Sequence, residues 1–196
     1  MDFILASNNP HKLEEIKRIL LPLGINVIGA KEAGVDLSDI EETGKTFEEN
    51  ARIKARAFVQ YTNMPSIGDD SGLMVDALNG EPGVYSARYA GEGAPIGKAT
   101  EKILNKLKNV EKNDRTAKFV TAICCLFPDG KEIVVHGECH GKVGYAPTGE
   151  NGFGYDPIFI TEDGRTFAQL TPEEKDKISH RGNALRKLKI ALENLF

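Results

Sequence analysis

The sequence predicts an α/β protein built on a mixed β-sheet, and three observations predict it. Short apolar runs near the N-terminus alternate with segments of helical period, the pattern of parallel strands with crossover helices. Two long runs rich in β-branched and apolar residues, 116–127 and 132–145, are joined by Pro128-Asp129-Gly130, which reads as a hairpin and brings antiparallel pairing into the same fold. At 196 residues, 40% hydrophobic and 28% charged, the chain is long enough to bury a sizeable core.

Residues 3–6 read as a first strand, closed by Ser7-Asn8-Asn9-Pro10. Leu13, Ile16 and Leu20 then recur at helical spacing until Pro22 and Gly24 stop the pattern. Residues 26–28 form a second strand, and residues 30–45 are acidic and aperiodic. Thr46-x-x-Glu49 is a capping box that opens a helix reaching about residue 61. Residues 66–68 are a short strand leading into Asp69-Asp70-Ser71-Gly72, followed by a strand at 73–77 and glycine-rich turns to residue 97. Pro95 starts a helix through residue 108. After the hairpin, 147–157 is a glycine-rich loop, 158–160 and 166–168 flank the turn Glu162-Asp163-Gly164, and Thr171-Pro172-Glu173-Glu174 begins helical structure. Leu185, Leu188, Leu192 and Leu195 share a face of the last helix. No repeat, low-complexity tract or linker divides the chain, so residues 1–196 read as one domain.

No run approaches the 18 apolar residues of a membrane span, and MDFILASNNP lacks the charged and long apolar regions of a signal peptide. A cytoplasmic protein is expected. Cys124, Cys125 and Cys139 make neither a disulfide framework nor a zinc motif, and read as buried thiols. The net charge of −4 excludes a broad basic surface for nucleic acid. Its distribution is uneven: residues 1–50 carry ten acids and five bases, and the remainder nineteen acids and twenty bases. Asp36, Asp39, Glu41, Glu42, Glu48 and Glu49 face a single Lys45.

Two cations stand where apolar residues belong. On the helix after Thr46, Phe47, Ala51, Ala55 and Phe58 form one stripe, and Lys54, seven positions after Phe47, falls about 20° from it. Either its stem packs while the ammonium escapes to water, or it is aimed inward to hold an anion. Arg181 falls about 40° from Leu185 on the buried side of the last helix, where it needs a carboxylate, phosphate or carbonyl partner. An internal salt bridge and an anion site both satisfy that requirement.

Several motifs are look-alikes. Gly44-Lys45-Thr46 has Asp39 where a phosphate loop needs its first glycine, and Gly149-x-x-Gly152-x-Gly154 lacks dinucleotide-fingerprint spacing. His136 and His140 lie about 13 Å apart on an extended strand with Cys139 on the other face, so they do not form a metal site. No serine sits in a GxSxG elbow. Asp69-Asp70-Ser71-Gly72 is more informative, because adjacent acids repel unless a cation, a proton or amide donors stabilise them. Mg²⁺ suits them, being held by one or two carboxylates plus substrate phosphates; an Asx turn or helix cap is the alternative. Ser7-Asn8-Asn9 with Lys12, at a strand-to-helix junction, suits a phosphate and equally an N-cap.

Taken together, six blocks resemble the inosine/xanthosine triphosphate pyrophosphatase (HAM1-like) family: Ser7-Asn8-Asn9-Pro10-His11-Lys12; Glu41-Glu42-Thr43-Gly44 through Glu49-Asn50-Ala51-Arg52-Ile53-Lys54-Ala55; Asp69-Asp70-Ser71-Gly72-Leu73; Gly80-Glu81-Pro82-Gly83-Val84-Tyr85-Ser86-Ala87-Arg88; Phe153-Gly154-Tyr155-Asp156-Pro157; and Ser179-His180-Arg181-Gly182. They occur in family order across nearly the whole chain. The resemblance implies an elongated mixed β-sheet flanked by helices, two lobes with a central active-site cleft, and a homodimer. It implies Mg²⁺-dependent hydrolysis of ITP, dITP and XTP to the monophosphate and pyrophosphate. No nucleic-acid or membrane partner is expected, from the net charge and the lack of an apolar span.

Residue by residue, the resemblance makes Ser7, Asn8, Asn9, Pro10, His11 and Lys12 a triphosphate loop, Glu41 and Asp70 metal ligands, and Asp70 the general base. Ser71, Phe153, Gly154, Tyr155, Asp156, Lys175, His180 and Arg181 are the other nucleotide contacts, and Lys54 faces phosphate. Ser7 and Asn8 stand where many relatives carry Thr and Gly, so Asn8 brings a Cβ to a place of close backbone approach. A donor such as Arg181 matches the six-carbonyl of ITP and XTP and mismatches the six-amine of ATP, while Phe153 is placed to stack on the base. The alternatives are a pyrophosphatase for other standard or modified triphosphates and a non-catalytic nucleotide-binding regulator. Mg²⁺-dependent turnover separates the last from the rest.

Overall fold

The computed structural model describes residues 2–35, 40–95 and 97–195; Asp36 and Asp39 of the acidic stretch lie outside them. Among the described residues, six strands form one sheet: β1 (Asp2–Leu5), β2 (Asn26–Gly29), β3 (Ser66–Val75), β4 (Thr116–Leu126), β5 (Glu132–Val143) and β6 (Phe159–Ile160). Their order is β2-β1-β3-β4-β5-β6. β1 pairs parallel with β2 and with β3, in registers Ile4↔Ile28 and Ile4↔Ser66, whereas β5 and β6 pair antiparallel. The mixed sheet predicted from the sequence is therefore present. The Pro128-Asp129-Gly130 turn closes with Phe127 N donating to Lys131 O at 2.9 Å.

The chain forms two compact units, one of Met1–Asp70, Thr121–Gly137 and His180–Phe196, the other of Ser71–Val120 and Glu138–Ser179. In the first, helix α1 (Pro10–Leu20) starts at the N-cap Asn9, whose side chain accepts from His11 N and Lys12 N, with Pro10 inside the first turn. It ends in a 3₁₀ turn, Leu21–Leu23, closed by Gly24 in the left-handed region. Helix α2 (Phe47–Thr62) is capped by the Thr46 hydroxyl, which accepts from Glu49 N. Helix α5 (His180–Glu193) closes the unit.

The sheet is buried on both faces here, as period-2 alternation shows. Phe3, Leu5, Ile123 and Cys125 pack with Ile16 and Leu20 of α1 and Leu185, Leu188 and Leu192 of α5. Their neighbours Ala122 and Cys124 pack instead with Ala51 and Ala55 of α2. Close approach of the helices rests on two strand glycines. A Cβ on Gly68 would sit 2.0 Å from Ala51 O, and one on Gly137 would sit 2.0 Å from His180 O.

The second unit is built around Leu73, Val75, Ile103, Phe119, Val143, Phe159 and Phe167, with Phe119 stacked on Phe167 and edge-on to Phe159. Helix α3 (Lys98–Lys106) is shorter than the segment expected from Pro95, because Gly97 at φ +88° takes the N-cap position in a non-helical conformation. Helix α4 (Pro172–Ile178) begins with a reciprocal capping box between Thr171 and Glu174. Arg115, 1% exposed, gives its guanidinium to the carbonyls of Leu107, Val143 and Gly144. Among the described residues, no helix is long and apolar enough to cross a membrane.

Asp69-Asp70-Ser71-Gly72 differs from expectation. It is the interior of the single ten-residue β3 rather than a segment between two short strands. Local sequence made two acids in a strand look unfavourable, but cations from α1, α2 and α5 reach them.

Candidate active site

Adjacent residues of a strand point to opposite faces, so Asp69 and Asp70 meet different surroundings. Asp69 is fully buried. Lys12 Nζ of α1 lies 2.6 Å from its Oδ1, Arg181 Nε of α5 donates to Oδ2 at 3.0 Å, and the Thr121 hydroxyl of β4 donates to Oδ2 at 3.1 Å. Arg181 also pairs with Glu15 through Nη1. Burial alone would raise the pKa of Asp69, but Arg181 and Lys12 outweigh it and hold the carboxyl well below the usual range. For Lys12 burial dominates and lowers the pKa, opposed by Asp69 and reinforced by Lys54 and Arg181.

Asp70, 6% exposed, is held at both oxygens from one helix. Lys54 Nζ lies 3.0 Å from Oδ1 and Asn50 Nδ2 donates to Oδ2 at 3.2 Å. Lys54 Nζ also lies 3.3 Å from Glu42. Here burial wins: it raises the pKa of Asp70 against Lys54 and Lys12, and Glu42 adds to it. Of two neighbouring carboxyls, Asp69 is thus fixed as an anion among cations, and Asp70 has heightened proton affinity.

Lys54 does not snorkel: it is 7% exposed and ends on carboxylates. Arg181 is 1% exposed and makes the internal salt bridge. At the start of α1, Asn9 Oδ1 accepts from His11 N at 3.0 Å and Lys12 N at 3.3 Å, and Ser7 Oγ accepts from Asn9 N. Asn9 is an N-cap, beside exposed Asn8, Pro10 and His11. His180, the first residue of α5, is buried.

The second unit holds Ser71, half-buried, and the glycine-rich loop. Asp156 Oδ2 accepts from Phe153 N at 2.9 Å and from Lys175 Nζ at 2.6 Å. Lys175, 4% exposed, lies 4.9 Å from the centre of the half-buried Phe153 ring. Gly152 at φ +73° makes this curl possible, since a Cβ would sit 2.0 Å from Asp156 Oδ2. Gly154 O accepts from Thr100, and the Tyr155 hydroxyl donates to Ser86 O. Burial pushes that phenol above its usual range.

Glu15, Glu42, Asn50 and Thr121 were not predicted as site residues. Asn50 was legible in principle: it stands four residues before Lys54, about 40° away on the same face. Glu41, expected beside Asp70, is exposed, and the loop carboxylate that reaches Lys54 is that of Glu42. Among the described residues, no group of three or more His, Cys, Asp or Glu is arranged to hold a metal. Mg²⁺ does not require one, because substrate phosphates and waters complete its octahedron. The hard oxygens of Asp70 and Glu42, both next to Lys54, fit that kind of ion.

A family model described as the Ham1 family matches residues 3–191. The chain belongs to the Ham1 family. It is 48% identical over 200 residues to a dITP/XTP pyrophosphatase of Clostridium perfringens, covering 98% of each chain. It is 50% identical over 191 residues to that of Bacillus subtilis, covering 97% of this chain and 96% of the relative. Among solved structures, the Ham1 protein of Staphylococcus aureus superposes with a TM-score of 0.86 at 45% identity, covering all of both chains. A HAM1 protein from Coxiella burnetii gives 0.88 at 43%, covering 99% of each. The α/β fold with its mixed sheet is thus that of solved Ham1 proteins.

Proposed function

We propose that this Ham1-family chain hydrolyses ITP, dITP and XTP to the nucleoside monophosphate and pyrophosphate, clearing them from the nucleotide pool. The observation that carries the reading is Asp70, a buried carboxylate with raised proton affinity, fastened by Lys54 and Asn50, in a chain about half identical to dITP/XTP pyrophosphatases over nearly its full length.

Asp70 orients a water toward the α-phosphorus and takes its proton. Lys12 and Lys54 stabilise charge on the departing pyrophosphate, and Ser7, Asn8, Asn9, Pro10 and His11 line the triphosphate. Asp70, with Glu42 by its position or Glu41 by the family resemblance, would hold Mg²⁺. When bound, that ion neutralises phosphate charge and lowers the pKa of water. Phe153 stacks on the purine, its backbone held by Asp156, while Ser71, Gly154, Tyr155, Lys175 and His180 complete the nucleotide contacts. Arg181, pinned by Asp69 and Glu15, is a fixed donor that suits a six-carbonyl and disfavours a six-amine, a polar mismatch that can discriminate by on the order of 10⁴.

The protein is further proposed to be a cytoplasmic homodimer without nucleic-acid or membrane partners. Three free, buried cysteines fit a reducing compartment, the net charge of −4 argues against a nucleic-acid surface, and the dimer rests on the family resemblance. The test of the reading is Asp70→Asn. Turnover of ITP is expected to fall by about 10²–10⁴-fold with the fold intact, and near-normal turnover in a folded variant overturns it.

A further inference from the structure

Asn50 lies in the first turn of α2 and is fully buried. Its side-chain amide faces two ways. Oδ1 accepts from Gly44 N at 2.8 Å, and Nδ2 donates to Asp70 Oδ2 at 3.2 Å. A carboxylate needs a donor and a backbone N–H needs an acceptor, so only one orientation of the amide satisfies both.

Each contact has a structural counterpart. On the Asp70 side, Lys54, one turn further along α2, holds the other oxygen at 3.0 Å. The two grips, four residues apart on a single helix face, fix both the position of the carboxylate and the rotation of its plane. On the loop side there is no space to spare: a Cβ on Gly44 would sit 2.5 Å from Asn50 Oδ1 and 2.9 Å from Asn50 N. Glu42, two residues before Gly44, meets the same Lys54 at 3.3 Å. The acidic loop and Asp70 are therefore fastened to one amide and one ammonium.

We propose that Asn50 is a positioning residue for the hydrolysis, setting the rotation of the Asp70 carboxylate and registering the Glu41-Glu42 loop against it. The proposal rests on the reading of Asp70 given above. It assigns Asn50 no contact with substrate; its effect passes through Asp70. Loss of the amide should accordingly slow the chemical step and leave substrate affinity nearly unchanged.

The experiment compares kcat and KM for ITP in wild type, Asn50→Ala, Asn50→Asp and Asp70→Asn, with thermal unfolding of each. Asn50→Ala removes both contacts. Asn50→Asp keeps the volume and the acceptor for Gly44 but sets a carboxylate against Asp70. Both are expected to lose about ten- to hundredfold in kcat, the scale of a hydrogen bond to a charged group, with KM within about threefold of wild type.

Retention of kcat within twofold in a folded Asn50 variant overturns the proposal, as does a loss confined to KM. If Asn50→Ala does not fold, Asn50→Asp carries the test; failure of Asn50→Asp to fold also overturns the proposal, since Asn50 would then be a folding residue. Near-normal turnover in Asp70→Asn would bring down the reading of Asp70 itself. Inactive Asp70→Asn beside active Asn50 variants brings down the Asn50 assignment alone.

Discussion

Replacing Asp69 by asparagine removes one negative charge from between Lys12 and Arg181 while keeping the volume of the side chain. In the native protein Asp69 is fully buried, Arg181 is 1% exposed, and the contacts are 2.6 Å from Lys12 and 3.0 and 3.3 Å from Arg181. Breaking a buried pair by removing one partner costs about 3–5 kcal/mol, because the remaining charge stays out of water. Arg181 keeps Glu15, which puts the expected loss near the lower end, at about 3 kcal/mol. For a protein of this size that corresponds to a fall in Tm of roughly 6–12 °C. The assay is urea and thermal unfolding of the purified variant at pH 7, with Asp70→Asn as its comparison. Asp70 pays a burial penalty that its neighbours do not fully offset, and after its replacement Lys54 still has Glu42, so that variant should lose less than about 2 kcal/mol. A loss below about 1 kcal/mol in Asp69→Asn, or equal losses in the two variants, would refute the division of labour between the aspartates.

Gly68→Ala should disrupt both stability and turnover: its Cβ would lie 2.0 Å from Ala51 O, and overpacking at such a contact costs about 1–3 kcal/mol or more. A variant with wild-type urea midpoint and kcat would show that α2 does not depend on that glycine. The thiols should resist alkylation at pH 8 in the native state and react on unfolding, because burial pushes Cys124 up to about 12 and Cys139 up to about 11. Since these pKa values are raised on folding, the thiols contribute stability below their unfolded pKa of about 8.5, and it is lost as pH rises toward 11–12. Rapid native-state labelling with iodoacetamide would contradict this.

The sequence made one part of the site readable through helical period. Lys54 and Arg181 stand on apolar stripes of two helices, and both are buried cations in the structure. Their partners were not readable, because Asp69 lies 112 residues from Arg181 along the chain and no local pattern links them. The same cause made Asp69-Asp70-Ser71-Gly72 read as a break between two short strands. Two acids in a strand are unfavourable on local grounds, and Lys12, Lys54 and Arg181 reverse that only once the helices are in place. In the acidic loop there is no period to say which carboxylate turns inward. The Gly44–Asn50 hydrogen bond and Lys54 select Glu42. The strands were easier, since the continuous apolar, β-branched run that becomes the almost wholly buried β4 and the glycine turn after it are local properties.

The central claim is cleavage between the α- and β-phosphates, and product analysis tests it most directly. Purified protein incubated with ITP and Mg²⁺ should yield IMP and pyrophosphate in equal amounts from the first turnover, with no IDP at any time. Accumulation of IDP and inorganic phosphate, or tight binding of ITP without any product, would contradict it.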